Sequence, residues 1–227
     1  MIERLLPGAV AAHESFGDLD DARLLPAERD WIASSTAAGR RQEFATVRHL
    51  ARAGMRDLGR PPQPVLPGAG RAPRWPEGLV GAITHCAGYR AAVLARSSEV
   101  PGLGIDAEPN RALSAGALGA ISHPEERDQL AGLAREFPEV HWDRLLFSAK
   151  ESVYKVWYPL AGRWLGFRDA RVEFDPLGGR FTVRLLVAGP VLAGAPLQEL
   201  DGRWQHAHGL LTTAIALGPG DRALNAR

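Results

Sequence analysis

The chain has 227 residues, 45% hydrophobic and 23% charged, with a formal net charge of +1; that is the balance of a globular protein with a real core, and it gives no global charge argument for nucleic acid or a membrane surface. Cys86 is the only cysteine, which excludes an internal disulfide and a cysteine-built zinc site. The N-terminal residues carry Glu3 and Arg4 rather than the apolar run of a signal peptide, and no apolar stretch is long enough to span a bilayer, so a soluble cytoplasmic protein is expected, built as one large domain or two small halves.

In chain order, residues 19–38 read as a helix, with Pro26 suited to a first turn and Trp31 and Ile32 following at helical spacing. A second helix is predicted over 40–58, ended by Gly59, with an apolar stripe through Phe44, Val47, Leu50, Ala51 and Met55. Residues 60–78 are rich in Pro and Gly and read as an irregular loop. Strands are predicted at 79–84, 90–95 and 103–108, the first two forming a hairpin. Residues 112–140 have weak helical patterning interrupted by Pro124 and Pro138. A clear helix follows over 143–158, stopped by Pro159. Beyond it the pattern is mainly β, over 170–174, 180–187, 203–208 and 210–217. Helices lead into strands twice, which predicts an α+β chain with two similar halves.

Two features carry chemistry. Alternation along a strand puts Asp106 and Glu108 on one face. Two neighbouring carboxylates repel unless a cation lies between them, and an oxygen-only pair suits Mg²⁺ better than zinc. On spacing alone, a solvent-facing strand end with acids paired to surface arginines fits equally well. The second feature is lysine. Of 27 basic residues only Lys150 and Lys155 are lysine, and they fall within six residues of each other. A coding bias toward arginine accounts for the total; a site that needs a compact ammonium would account for the clustering. On the 143–158 helix, Leu146, Ala149, Val153, Val156 and Trp157 form the core stripe. Glu151 and Lys155 lie four apart near the opposite face with Lys150 at its flank. Glu151 would add a third carboxylate, and the lysines could hold phosphate oxygens. His85 at a strand end and Trp164 read by default as structural residues, and Cys86 as packing. These residues predict a magnesium-dependent phosphoryl-group transferase. A metal-dependent nuclease shares the carboxylates and lysine but calls for a basic face.

The strings Gly104-Ile105-Asp106-Ala107-Glu108 and Trp142-Asp143 … Phe147-Ser148-Ala149-Lys150-Glu151-Ser152-Val153-Tyr154-Lys155 resemble the signatures of the phosphopantetheinyl transferases, of the monomeric two-lobed type. Arg40 … Phe44 … Arg48, Trp75-Pro76 … Ile83-Thr84-His85-Cys86 and Trp164-Leu165-Gly166-Phe167 support it, so the resemblance runs from about residue 36 to 217. It implies two α+β halves related by a pseudo-twofold axis, 1–103 gripping the nucleotide and 104–227 carrying the metal site, with the active site between them. The implied reaction moves 4′-phosphopantetheine from coenzyme A to a serine of an acyl or peptidyl carrier protein, releasing adenosine 3′,5′-bisphosphate. Asp106, Glu108 and Glu151 would hold Mg²⁺, with Glu151 also the base. Lys150 and Lys155 would neutralise the pyrophosphate. Arg40, Arg48, Thr84 and His85 would meet the nucleotide, notably its 3′-phosphate, and Trp164 would line the pantetheine channel. Some relatives carry lysines in the loop after the second helix, where this chain has Pro67-Gly68-Ala69-Gly70-Arg71; Arg71 is the residue placed to take over their role. A non-catalytic carrier-binding module of the same fold is disfavoured because all three acids and both lysines are present.

Overall fold

A short edge strand, β1 (Ala11–Ser15), precedes the first helix and pairs antiparallel with a strand some eighty residues later. The computed structural model describes residues 1–33, 38–192 and 194–218. Helix α1 spans Pro26–Ala33, so the helix expected from residue 19 starts late; its predicted continuation at 34–37 lies outside the described residues. Proline disfavours helical geometry in the residue before it, which makes Pro26 a starting point and keeps 19–25 out of the helix. Helix α2 (Ala38–Asp57) follows, then a small ladder, β2 (Leu66–Pro67) with β3 (Pro73–Arg74), inside the expected loop. The hairpin is β4 (Leu79–Cys86) and β5 (Tyr89–Arg96). With β1 it forms a three-stranded sheet in the order β1-β5-β4, and the apolar stripe of α2 packs on it.

The second half opens with β6 (Leu103–Pro109), then α3 (Ala117–Ile121), α4 (Pro124–Glu136) and α5 (Trp142–Ala161). Pro124 begins α4 rather than breaking it, since the first turn needs no N–H from that residue. Helix α5 does not stop at Pro159. It runs to Ala161 and ends where Gly162 turns left-handed (φ 64) and its N–H closes on the Tyr158 carbonyl. Strands β7 (Ala170–Asp175), β8 (Arg180–Leu185), β11 (Glu199–Ala207) and β12 (Leu210–Ala216) join β6 in the order β6-β12-β11-β8-β7, with the two-residue ladder β9 (Val191–Leu192) and β10 (Ala195–Pro196) to one side.

Each half thus sets a long helix on an antiparallel sheet whose first strand pairs with its last, β1 with β5 and β6 with β12. All five predicted stripe residues of α5 are buried, in a core with Leu145, Phe181 and Ile215. A second core cluster joins the halves, bringing Ile2 and Leu5 together with Val93, Ile105 and Leu210. Strands β4 and β6 meet at this joint. There the Thr84 hydroxyl accepts the Ala107 N–H at 3.2 Å and donates to Asp106 Oδ1 at 3.1 Å.

Candidate active site

The joint between β4 and β6 is covered by α5, and the carboxylates gather there. Asp106, almost fully buried, receives the Lys155 ammonium at 2.8 Å on the same Oδ1 that Thr84 contacts; Lys155 also donates to the Ile105 carbonyl at 2.9 Å. The other oxygen, Oδ2, is buried without a hydrogen-bond partner among the described residues. A carboxylate oxygen held out of water in this way is costly unless a cation or donor completes it. Two residues on, Glu108 takes Arg144 Nη1 at 3.0 Å. Burial raises the pKa of Glu108, and the Asp106 charge raises it further against the pull of Arg144. Burial likewise raises Glu151, with Asp106 adding to the effect and Lys155 opposing it.

These three acids therefore share one electrostatic field, but they do not form a closed ligand set. Among the described residues no three of His, Cys, Asp and Glu stand close enough together to hold a metal ion. Lys155 occupies the Asp106 oxygen that faces α5, and Arg144 engages Glu108. The chemistry of the donors still fits a hard divalent cation: two carboxylates on one strand face, an orphaned buried oxygen and a third acid opposite.

Two other expected residues have different work. Lys150 is 3% exposed, and its ammonium contacts Glu126 at 2.9 Å and the carbonyls of Ile121, Phe167 and Ala170 at 2.8, 2.8 and 3.0 Å. With every N–H engaged it has none left for a phosphate; it ties α4 and the start of β7 to α5. Thr84, assigned by resemblance to the nucleotide, is a buried brace between β4 and β6 instead. Trp164, by default a core aromatic, is 72% exposed and leans on Tyr154 with ring centroids 5.0 Å apart.

Cavities connect the remaining residues. One of about 550 Å³ is bordered by α1, α2 and the β2–β3 loop, and its wall includes Trp31, Arg40, Phe44, Arg48, Arg71 and His85. A second, of about 290 Å³, reaches α5 and includes Arg48, Arg71, Trp75, His85, Glu151 and Lys155. A third, of about 90 Å³, continues past Glu151 and Tyr154 to Trp164 and Phe167. Arg48, Arg71 and His85 belong to both of the first two, and Glu151 to both of the last two. The result is a track from one half to the other with a basic stretch in its middle. Arg71 adopts φ 63, an uncommon backbone for a residue with a side chain, at the seam of two cavities. Burial lowers the pKa of His85 even though Glu43, with an oxygen 3.8 Å from Nδ1, pulls the other way; Lys155 and Arg90 act with burial.

Sequence reasoning missed Arg144, which stands seven residues before Glu151 on α5 and so shares its face, a spacing that offered the signal. It also missed Arg90, held by Asp18 at 2.8 Å and Glu43 at 3.1 Å, and Glu28, which no local pattern marks.

Comparison with known proteins matches residues 27–95 to the 4′-phosphopantetheinyl transferase N-terminal domain and residues 102–201 to the 4′-phosphopantetheinyl transferase superfamily. The chain is 51% identical to the 4′-phosphopantetheinyl transferase Svp of Streptomyces mobaraensis, over 96% of this chain and 89% of that protein. It is 48% identical to PptT of Mycobacterium tuberculosis, over 96% and 98%, and 43% identical to Npt of Nocardia iowensis, over 95% and 99%. With an α+β architecture, both domain matches and relatives aligned over nearly their whole length, the chain belongs to the 4′-phosphopantetheinyl transferase superfamily.

Proposed function

We propose that this enzyme moves the 4′-phosphopantetheine arm of coenzyme A onto a serine hydroxyl of an apo acyl or peptidyl carrier protein. The observation that carries the reading is the shared wall: Arg48, Arg71 and His85 border both the large cavity and the one that ends at Glu151 and Lys155. A donor with a nucleotide at one end, a pyrophosphate in the middle and a long neutral arm suits a track that is basic at its centre and aromatic at its far end.

In this reading the half from 1 to 103 grips the nucleotide through Arg40, Arg48, Arg71 and His85, and the half from 104 to 227 performs the transfer. Asp106 and Glu108, with Glu151 opposite, would hold Mg²⁺, which when bound offsets the charge of the pyrophosphate. Lys155 presents a cation beside Asp106, suited to offset the charge on the 5′-phosphate of the departing adenosine 3′,5′-bisphosphate as the pyrophosphate P–O bond breaks. Glu151 accepts the serine proton, directly or through water; burial raises its pKa, with the Asp106 charge adding and Lys155 opposing, which makes the carboxylate a stronger base than an exposed glutamate. The arm runs past Tyr154 to Trp164. In this reading the enzyme acts as a monomer in the cytoplasm; no helix among the described residues is long and apolar enough to cross a membrane.

The test is mass spectrometry of apo carrier proteins incubated with the enzyme, coenzyme A and Mg²⁺. A phosphopantetheine mass gain is expected, with Glu151→Gln folded but slowed by at least about a hundredfold. No gain on any of several carrier proteins would overturn the reading, and near-normal turnover of Glu151→Gln would remove it as the base.

A further inference from the structure

Beneath the large cavity lies a carboxylate with no access to solvent. Glu28, on α1, is 0% exposed. One of its oxygens receives Arg52 Nη1 at 2.6 Å and the Leu25 N–H at 2.9 Å; the other receives the Val65 N–H at 3.0 Å. Arg52 also donates to the Arg23 carbonyl. A buried ion pair is by itself weak evidence of net stabilisation, since an apolar replacement of the same volume is often as stable. Its geometry points to a different use.

Val65 is the link. Its N–H is held by Glu28, and its carbonyl accepts Arg48 Nε at 3.1 Å. Arg48 is itself buried, stands over the Phe44 ring with its guanidinium carbon 3.6 Å from the centroid, and forms no ion pair among the described residues. Its terminal nitrogens have no protein acceptor among the described residues, and its side chain borders both cavities. Burial lowers the Arg48 pKa to about 10, with the Glu28 charge opposing and the Arg52 charge assisting. A guanidinium kept out of water, fixed on one edge by a backbone carbonyl and unpartnered on the other, is a preformed anion receptor.

We infer that Glu28 is a positioning residue for the donor: by fixing Val65 it orients the free edge of Arg48 toward the coenzyme A phosphates. This rests on the reading of the cavity as the coenzyme A site. Glu28 touches no substrate; it acts through Val65 and Arg48.

Charge alone predicts the opposite sign. Deleting a buried negative charge next to an anion receptor should tighten binding of an anionic ligand, whereas loss of positioning should weaken it. Glu28→Gln and Glu28→Asp separate the two, the first removing the charge at constant shape and the second keeping the charge while withdrawing it from Val65. Titration calorimetry with coenzyme A, on proteins shown by circular dichroism to be folded at the assay temperature, should give a dissociation constant about tenfold weaker for each variant. In turnover assays KM for coenzyme A should rise in parallel while kcat and KM for the carrier protein stay within about twofold. If wild type binds coenzyme A and either folded variant binds equally well or more tightly, the inference fails. If wild type does not bind coenzyme A at all, the reading of the cavity fails instead. Should Glu28→Gln not fold, Glu28→Asp carries the test alone.

Discussion

Two lysines in a chain otherwise basic through arginine hold two different positions. Lys155 reaches Asp106 at the edge of a cavity, and Lys150 is sealed among a carboxylate and three carbonyls. Both sites suit a compact ammonium with donors pointing in several directions rather than a planar fork. Composition drew attention to both lysines as phosphate ligands, but the sealed setting of Lys150 was not legible in it. Lys150 lies at the flank of the α5 stripe, and whether a flank is covered depends on what packs there; here α4 and the chain at 167–170 do. Cys86, beside the acids, offers a measurable property of the same neighbourhood. Burial, with the Glu108 and Asp106 charges, pushes its thiol up from 9.0 to about 12. A raised pKa leaves the neutral thiol dominant below that value, so iodoacetamide labelling at pH 8 should be slower by about a thousandfold than for a thiol at its ordinary pKa. The rate, followed by mass spectrometry, should still climb above pH 10; a plateau near pH 9 would contradict the placement.

Among the elements, β6 and α5 carry most of the reacting groups and touch at a point set by one missing side chain. A Cβ on Gly104 would lie 2.0 Å from the Ser152 carbonyl oxygen and 2.8 Å from Val156 Cγ2. Backbone cannot yield as a flexible side chain does, so Gly104→Ala must push α5 off β6. The expected cost is about 3 kcal/mol, read as a lower urea midpoint, with transfer lost as Asp106 and Glu151 separate. An unchanged midpoint would mean that strand and helix do not approach so closely. The same scale shows why the long helices were legible and the boundaries less so. The stripes of α2 and α5 are strongly periodic, and their burial followed. Strand β1, with the sequence Ala-Ala-His-Glu-Ser and no alternation, exists because β5 supplies its hydrogen bonds. Pro159 lies in the last turn of α5, where its missing N–H removes one bond without ending the helix.

The two halves meet along a shared apolar cluster, and Thr84 is the polar group at that joint tied to the chemistry. Its hydroxyl satisfies the Ala107 N–H on β6 and leaves its own proton for Asp106. Thr84→Val keeps the shape, takes away the acceptor of the Ala107 N–H and removes one of the two donors on Asp106 Oδ1, which should cost about 1–3 kcal/mol in thermal or urea unfolding. Thr84→Ser should restore most of that stability; equal loss in both variants would show that the hydroxyl is not the joint. From the sequence alone came the α+β class, the same-face pair Asp106 and Glu108, the placing of Glu151 and Lys155 together on one helix, and the family. The first three follow from short-range periodicity and residue chemistry, and the family from the resemblance of the motif strings. Only the tertiary structure decided that Lys150 and Thr84 are buried braces, that Arg144 engages Glu108, and that Glu28 supports Arg48 from beneath the cavity. Each of those depends on groups far apart in the chain meeting out of water, where every buried donor and acceptor must find a partner, and no local pattern records which one it will be.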